Sequence, residues 1–387
     1  MLLGLKKWIK SLLPTSSYES LNVIEIKKDH IIHNFRHIQS LQPDHTIIPV
    51  VKSNAYGHGL QQICTILNTF SNKELPLIAV DSYPEYQIVA DTTQKDILVL
   101  GETLTSNYHL YNPSRTHLAV GTLEVLQALI DTKKHRNIHL FLNTGMNREG
   151  FQEDTLQQAL TLLQTTNQLH VVGVMSHLAN ADMSDNTFTE QQVLTFKSMM
   201  KKILSEGHQP IYIHISNSAG LSKIQDPLFT ASRTGLALYG YNPLESGDKY
   251  HKHYIDLKPA LRLTSTITAL QHIKQGDGVS YGMKWISNKE TLTATLPFGY
   301  NEGLPRSSGS GYQVYHHNNS LPLVGTVCMN LSIIDTERRD IHIGDQIEII
   351  GWDKNKKNTI QELANINKTI PYTMLTGLEK GLKRIIV

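Results

Sequence analysis

Cysteine is scarce in this sequence. The 387 residues include two, Cys64 and Cys328, and neither sits in a metal-type spacing. So few thiols exclude a disulfide framework and suit a reducing compartment, so a cytoplasmic protein is expected. Charge of one sign is lacking too: 36 Lys and Arg against 34 Asp and Glu leave a formal net charge of +2. No basic stripe interleaved with aromatics offers a polyanion footprint, which argues against nucleic acid as a partner. No apolar run reaches the roughly 20 residues that cross a bilayer, so no integral membrane segment is expected. The 19 histidines are scattered, with no HExxH motif and no Cys/His cluster, and no metal site is expected.

What is present suffices for a large core: 40% of residues are hydrophobic and 18% charged, a balance that disfavours disorder. The length calls for two or three units, or one barrel with an appendage. Residues 1–20 read as an N-terminal extension. Its apolar residues, Leu2, Leu5, Ile9, Leu12 and Leu13, recur at near-helical spacing, but Lys6, Lys7 and Lys10 interrupt the apolar run that a secretory signal needs. A frayed or partner-packed segment is expected there in preference to a helix lying on a membrane surface.

From residue 46 short apolar runs alternate with helical patterns. The strand candidates are TIIPVVK (46–52), LPLIAV (75–80), DILVLG (96–101), THLAV (116–120), NIHLFLN (137–143), HVVGVMSHL (170–178), IYIHISNS (211–218) and FTASRTG (229–235). Between them, stretches such as LQQICTILNTF and EQQVLTFKSMMKKIL repeat apolar residues at three and four. Eight strand–helix units within residues 21–258 predict an α/β fold, a (β/α)8 barrel. Over residues 259–387 the pattern changes. Strands such as TLTATLPFGY and DQIEIIGW, separated by turns such as Gly276-Asp277, predict a mostly antiparallel β domain. The early strand LNVIEI (21–26) is a candidate to join that second domain.

Barrel enzymes place reactive groups where strands finish. Here Lys52 follows the first strand, Arg148 follows the fifth and His177 ends the sixth. Asn217 and Ser218 finish the seventh, and Arg233 with Gly235 closes the eighth. A lone lysine at a strand tip is ordinary. A lysine in the company of two fixed cations and small residues able to cradle an anion, with no metal ligands, points to pyridoxal 5'-phosphate held through the lysine amine. Ser218 and the backbone N–H of Gly235 are the phosphate candidates.

These residues also carry a resemblance. VVKSNAYGHG, NTGMNREGF, MSHLANAD, HISNSAG, SRTGLALYG, SYGMKW, FGYNEGLPR, VGTVCMN and PYTML occur in the order found in the alanine racemase family, and cover the chain from about residue 21. The resemblance implies a barrel binding pyridoxal phosphate, a C-terminal β domain and a head-to-tail homodimer with shared active sites. It implies that Lys52 holds the cofactor and serves as one base. Tyr56, Ser218, Gly235, Leu236 and Tyr372 would contact the phosphate, with Asn217 beside them. His177 would pack by the pyridine ring, and Arg148 would reach its phenolic oxygen and the substrate carboxylate. Arg233 would face the pyridine nitrogen; a guanidinium only donates, so that nitrogen stays unprotonated and the cofactor is a weaker electron sink. Tyr281 would be the second base, supplied by the partner subunit, with His177 and Arg233 as the cations that assist it. Met329, also from the partner, would offer its N–H to the substrate carboxylate.

The sequence departs from the family pattern in places. Phe141 stands where a carbamate-bearing lysine is common, and Asn143 replaces an aspartate. Asn330 and Glu302 stand where the family has aspartates, which reads as a loss of carboxylates around one site. We expect a small anion, chloride, between Arg148 and Asn143 to replace the carbamate. Three functions stay open: alanine racemisation for D-alanine and peptidoglycan, a racemase of broader or different specificity (serine, lysine or arginine), or a pyridoxal-phosphate-binding protein without racemase activity. A complete β domain carrying Tyr281 argues against the third.

Overall fold

The structure is a computed structural model describing residues 18–309 and 311–387. The expectations for residues 1–17 fall outside the described residues.

Strand β1 (Asn22–Ile26) is followed by a helix, Lys28–Leu41, and then by β2 (Thr46–Pro49). Next come β3 (Leu77–Val80), β4 (Asp96–Val99), β5 (Thr116–Val120), β6 (Arg136–Phe141), β7 (Leu169–Met175), β8 (Tyr212–His214) and β9 (Ala231–Thr234). Strands β3 to β8 form one parallel sheet in sequence order, and β2 pairs parallel with β9. A bridge from Val50 to Ala79 joins β2 to β3. On the other side, Arg233 N donates to Ser216 O at 2.9 Å and joins β9 to β8. The eight strands β2–β9 therefore close into a barrel. Its strands read as near-continuous apolar runs because both faces are covered, inside by the barrel core and outside by helices. Leu77, Ile78, Ala79 and Val80 are all fully buried.

The helices lie where apolar residues recur at three and four. Thr187–Ser205, for example, buries Phe196, Met199, Met200 and Ile203. The strands are shorter than the apolar runs suggested. Lys52, Arg148, His177, Asn217, Ser218 and Gly235 lie beyond their ends, Lys52 as the first residue of a short turn-like element, Lys52–Tyr56, while Arg233 remains within β9.

The second domain contains β10 (Leu261–Thr266), β11 (Ala269–Ile273), β12 (Gly278–Val279), β13 (Trp285–Ile286) and β14 (Thr291–Leu296). It continues with β15 (Gln313–His316), β16 (Asn319–Val324), β17 (Ser332–Asp335), β18 (Gln346–Ile350) and β19 (Lys383–Ile386). Nine strands form one mostly antiparallel sheet in the order β11-β14-β17-β16-β15-β18-β10-β1-β19. Within it β1 runs antiparallel to β10 and parallel to β19. The first described strand thus belongs to the C-terminal sheet, and the chain leaves it to build the barrel before returning. Among the described residues no helix is long and apolar enough to cross a membrane.

Candidate active site

Beyond β2 the backbone does something that the residue pattern does not announce. Ser53, Asn54, Ala55 and Tyr56 adopt φ of 54°, 54°, 52° and 52° in succession. A left-handed turn of four L-residues costs roughly 1–2 kcal/mol per residue, so it persists only where its surroundings hold it. Here Ser53 N donates to Glu85 Oε1 at 2.6 Å and Leu60 N donates to Asn54 Oδ1 at 2.9 Å. Gly57 follows, and a Cβ there would lie 2.0 Å from the carbonyl oxygen of Leu375. The turn brings Lys52 and Tyr56 into one cavity at the C-terminal mouth of the barrel.

That cavity has a volume of about 510 Å³, within the usual range for a small-molecule site. All the candidate residues line it except Tyr281 and Met329: Lys52, Tyr56, Arg148, His177, Asn217, Ser218, Arg233, Gly235, Leu236 and Tyr372. Asp81 and Glu149 join them. Three permanent or ordinary cations against two carboxylates suit an anionic ligand.

One end is a cradle of small donors. Ser218 Oγ accepts from the N–H of Gly235 at 3.0 Å and of Ala237 at 3.3 Å. The Tyr56 hydroxyl comes so close to Gly235 that a Cβ there would lie 2.4 Å from it. Only glycine admits that approach. Burial raises the Tyr56 pKa far above its ordinary value, and burial first, then the charge of Asp182, raises that of Tyr372 to about 12. Both hydroxyls therefore remain protonated donors.

The other end is built on Arg233, 3% exposed. Its Nη1 donates to His214 Nδ1 at 2.7 Å and to the His214 carbonyl at 3.2 Å, and its Nη2 to Ser176 O at 2.5 Å. Nη2 also meets His177 Nδ1 at 3.3 Å. Among the described residues no acceptor meets its Nε–H, which leaves one donor for a ligand. Burial, then the charge of Arg148, lowers the Arg233 pKa to about 10, so it stays charged near neutrality. Burial, then the charges of Arg233, Arg148 and Lys52, lowers that of His177 to about 3. His177 is therefore neutral near pH 7. The sequence suggested it as a cation; its burial beside three cations makes it a hydrogen-bond acceptor for Arg233 instead.

Arg148 also differs from expectation. Its Nε and Nη2 donate to Glu149 Oε1 at 2.9 Å and 2.6 Å. Asn143 is occupied elsewhere: its Oδ1 accepts from Gly145 N and Asn147 N, both at 3.1 Å. Phe141 packs with Ala119 and Met175 in an apolar cluster. Nor is the carboxylate at Glu302 lost. Its Oε2 accepts from Gly299 N at 2.7 Å and its Oε1 from Asn330 Nδ2 at 2.7 Å. An asparagine beside that glutamate donates where a second carboxylate would repel.

Sequence reasoning missed Glu149, Asp81 and Glu85. Asp81 directly follows β3 and receives Lys52 Nζ at 3.0 Å, so the strand-end rule applied to the second barrel strand would have found it. The pairing of Arg148 with its own chain neighbour has no signature in spacing.

Residues 26–243 match the family described as alanine racemase, N-terminal domain, and residues 260–386 match alanine racemase, C-terminal domain. The alanine racemase of Clostridium tetani is 30% identical over 371 residues, covering 94% of both chains. That of Fusobacterium nucleatum is 30% identical over 372 residues, covering 94% of this chain and 99% of its own. Among solved structures, an alanine racemase from Clostridium difficile superposes with a TM-score of 0.87 at 26% identity, over 96% of this chain and 97% of its own. One from Bacillus anthracis gives 0.86 at 26% identity, over 96% of each chain.

Proposed function

The chain belongs to the alanine racemase family, and on that footing we propose that it interconverts L-alanine and D-alanine with pyridoxal 5'-phosphate, using two bases on opposite faces of the substrate. The observation that carries this reading is one cavity holding Lys52, a cradle able to take a phosphate, and a buried arginine with a free donor. The residues fit the cofactor. Ser218, Gly235, Leu236, Tyr56 and Tyr372 would take its phosphate, and Arg233 its ring nitrogen. Once bound, the cofactor supplies the electron sink that makes the substrate α-proton removable.

Lys52 holds the cofactor and moves a proton at the substrate α-carbon on one face. Arg148 orients the substrate carboxylate, braced by Glu149. A single base returns a proton mainly to the face it came from, so inversion needs a second. We assign that base to the partner subunit's Tyr281, in a head-to-tail homodimer. Tyr281 is 66% exposed and does not line its own chain's cavity. Met283, Ile286 and Met329 are exposed as well, and exposed apolar side chains are what an interface covers. Thr326 Oγ1 donates to the Tyr281 carbonyl at 2.9 Å, tying that tyrosine to the loop carrying Met329. A phenol is protonated near neutrality unless a neighbouring positive charge favours its anion, so a tyrosine needs such a charge to act as a base. With His177 neutral, Arg233 is the cation for that task.

The named relatives are bacterial, and we assign the product D-alanine to peptidoglycan synthesis in the cytoplasm. The test is purified protein with pyridoxal phosphate and a panel of L-amino acids, read by chiral chromatography. Alanine should racemise fastest. Faster conversion of serine, lysine or arginine would replace the substrate assignment, and conversion of none would leave a cofactor-binding protein without racemase activity.

A further inference from the structure

Behind Arg233 the barrel interior holds a line of imidazoles that the chemistry above does not use. His214 Nε2 lies 2.8 Å from His139 Nδ1, and His139 Nε2 lies 3.0 Å from His117 Nδ1. His214 and His139 are fully buried and His117 is nearly so. At the floor of the barrel, His117 Nε2 lies 3.2 Å from the Asn137 side-chain amide and 3.9 Å from Asp96 Oδ2.

The proton positions along this line follow from one end. A guanidinium has no acceptor, so His214 Nδ1 must accept from Arg233 and a neutral His214 carries its proton on Nε2. That proton goes to His139 Nδ1, which places the His139 proton on Nε2 and directs it to His117 Nδ1. His117 then presents Nε2–H to the floor, where Asn137 must turn its amide oxygen inward to accept it. Neutrality of all three follows from the surroundings. Burial, the largest cause in each case, lowers all three pKa values, that of His117 to about 4. The charged groups facing the line are Arg233 above and Asp96 below, with the Tyr212 ring stacked on His139 at 15°.

Two features of the backbone seat the middle histidine. The β6–β7 register shifts between Ile138 and His139, so that His139 pairs with Gly173. Such a shift re-aims a side chain. A Cβ on residue 173 would lie 2.2 Å from His139 Nδ1, so only glycine leaves room for the ring.

We propose that His214, His139 and His117 form a one-way chain of Nε2–H tautomers, ended by Asn137 and Asp96, whose members are positioning residues for Arg233. The chain presents Arg233 with an acceptor that cannot change into a donor. Aligned hydrogen bonds strengthen one another in a low dielectric, and a carboxylate at the far end strengthens them further. Nη1 is thereby held, and the free Nε–H keeps its aim into the cavity. This role rests on the assignment of Arg233 to the cofactor ring; the tautomer chain itself does not.

The test is nitrogen–proton correlation spectroscopy of histidine-labelled protein, recorded without cofactor. His214, His139 and His117 should each appear as a neutral Nε2–H tautomer, unchanged from about pH 5 to about pH 8, where an ordinary histidine titrates. An Nδ1–H tautomer at any of them, or titration near the ordinary value, overturns the chain. His139→Gln offers an acceptor and a donor in the same sense and should keep the His214 signal, whereas His139→Leu should shift it. In the loaded enzyme His139→Leu should lower kcat about tenfold at little change in KM, part of the ~100-fold that a misplaced catalytic group can cost, with His139→Gln recovering most of it. An unchanged His214 signal and unchanged kcat in His139→Leu overturn the positioning role. Asp96→Asn, at the half-buried floor, serves if His139→Leu does not fold: it should move the His117 Nε2 resonance, and no movement overturns the chain. Since the resonances are read without cofactor, their failure leaves the racemase assignment standing, and a negative chiral assay leaves the chain standing.

Discussion

Arg148 forks onto a single carboxylate oxygen of its own chain neighbour, Glu149, through Nε at 2.9 Å and Nη2 at 2.6 Å. The pair stands half-exposed at the cavity mouth, with side chains 51% and 37% exposed. An exposed ion pair contributes little to stability. Its value lies in aim: the two contacts fix the plane of the guanidinium.

Glu149→Gln should therefore leave thermal stability nearly unchanged and lower kcat/KM for alanine about tenfold, as expected when a charged clamp loosens. The wild-type enzyme should be indifferent to both chloride and bicarbonate, since a carboxylate already balances Arg148 and Asn143 is committed to its own turn. Steady-state kinetics in chloride-free buffer check this. Activity that requires chloride would restore the anion expected from the sequence and demote Glu149.

Lys52→Ala should abolish the adduct trapped by borohydride and the yellow colour of the protein. Peptide mapping after reduction is the measurement. A label on any other lysine removes Lys52 from its role.

Tyr281→Phe should keep cofactor binding and lose at least the ~100-fold typical of a missing general base. Exchange of the α-proton in deuterated water should fall more for one enantiomer than for the other. Equal losses for both would contradict two bases on two faces.

Mixing Lys52→Ala with Tyr281→Phe protein under conditions of subunit exchange should restore activity. One of the two heterodimer sites then inherits an intact lysine and an intact tyrosine. No recovery after exchange is verified by mass would mean that each site is built within one chain.

The buried histidines predict an acid limit to stability. His117, His139, His177 and His214 have folded pKa values below the ordinary 6.5. The unfolded chain thus binds protons that the native one refuses, and stability falls as pH falls. The loss begins near the unfolded value of about 6.5 and for His117 is complete below about 4. Thermal melts from pH 8 downward should show Tm dropping across that window, and His117→Asn should flatten the slope. An identical slope in the variant would mean that His117 is charged in the native state.

Periodicity alone determined much of this protein. Buried parallel strands must be apolar on both faces, so runs such as LIAV and DILV mark them without ambiguity, and the strand-end rule then leads to Lys52, His177, Ser218 and Arg233. What only the tertiary structure decided is conformation and pairing. Asn54 is the one residue of Ser53-Asn54-Ala55-Tyr56 that tolerates the left-handed region, and its bond to Leu60 is local; the turn is also held by Glu85, 32 residues from Ser53. Charge states were equally out of reach. His177 reads as a cation until its burial beside Arg233 is known, because a pKa is set by neighbours that the fold assembles. The imidazole line joins residues 117, 139, 214 and 233 on β5, β6, β8 and β9, which no sequence spacing connects, and closure of the barrel is what turns their side chains into one interior.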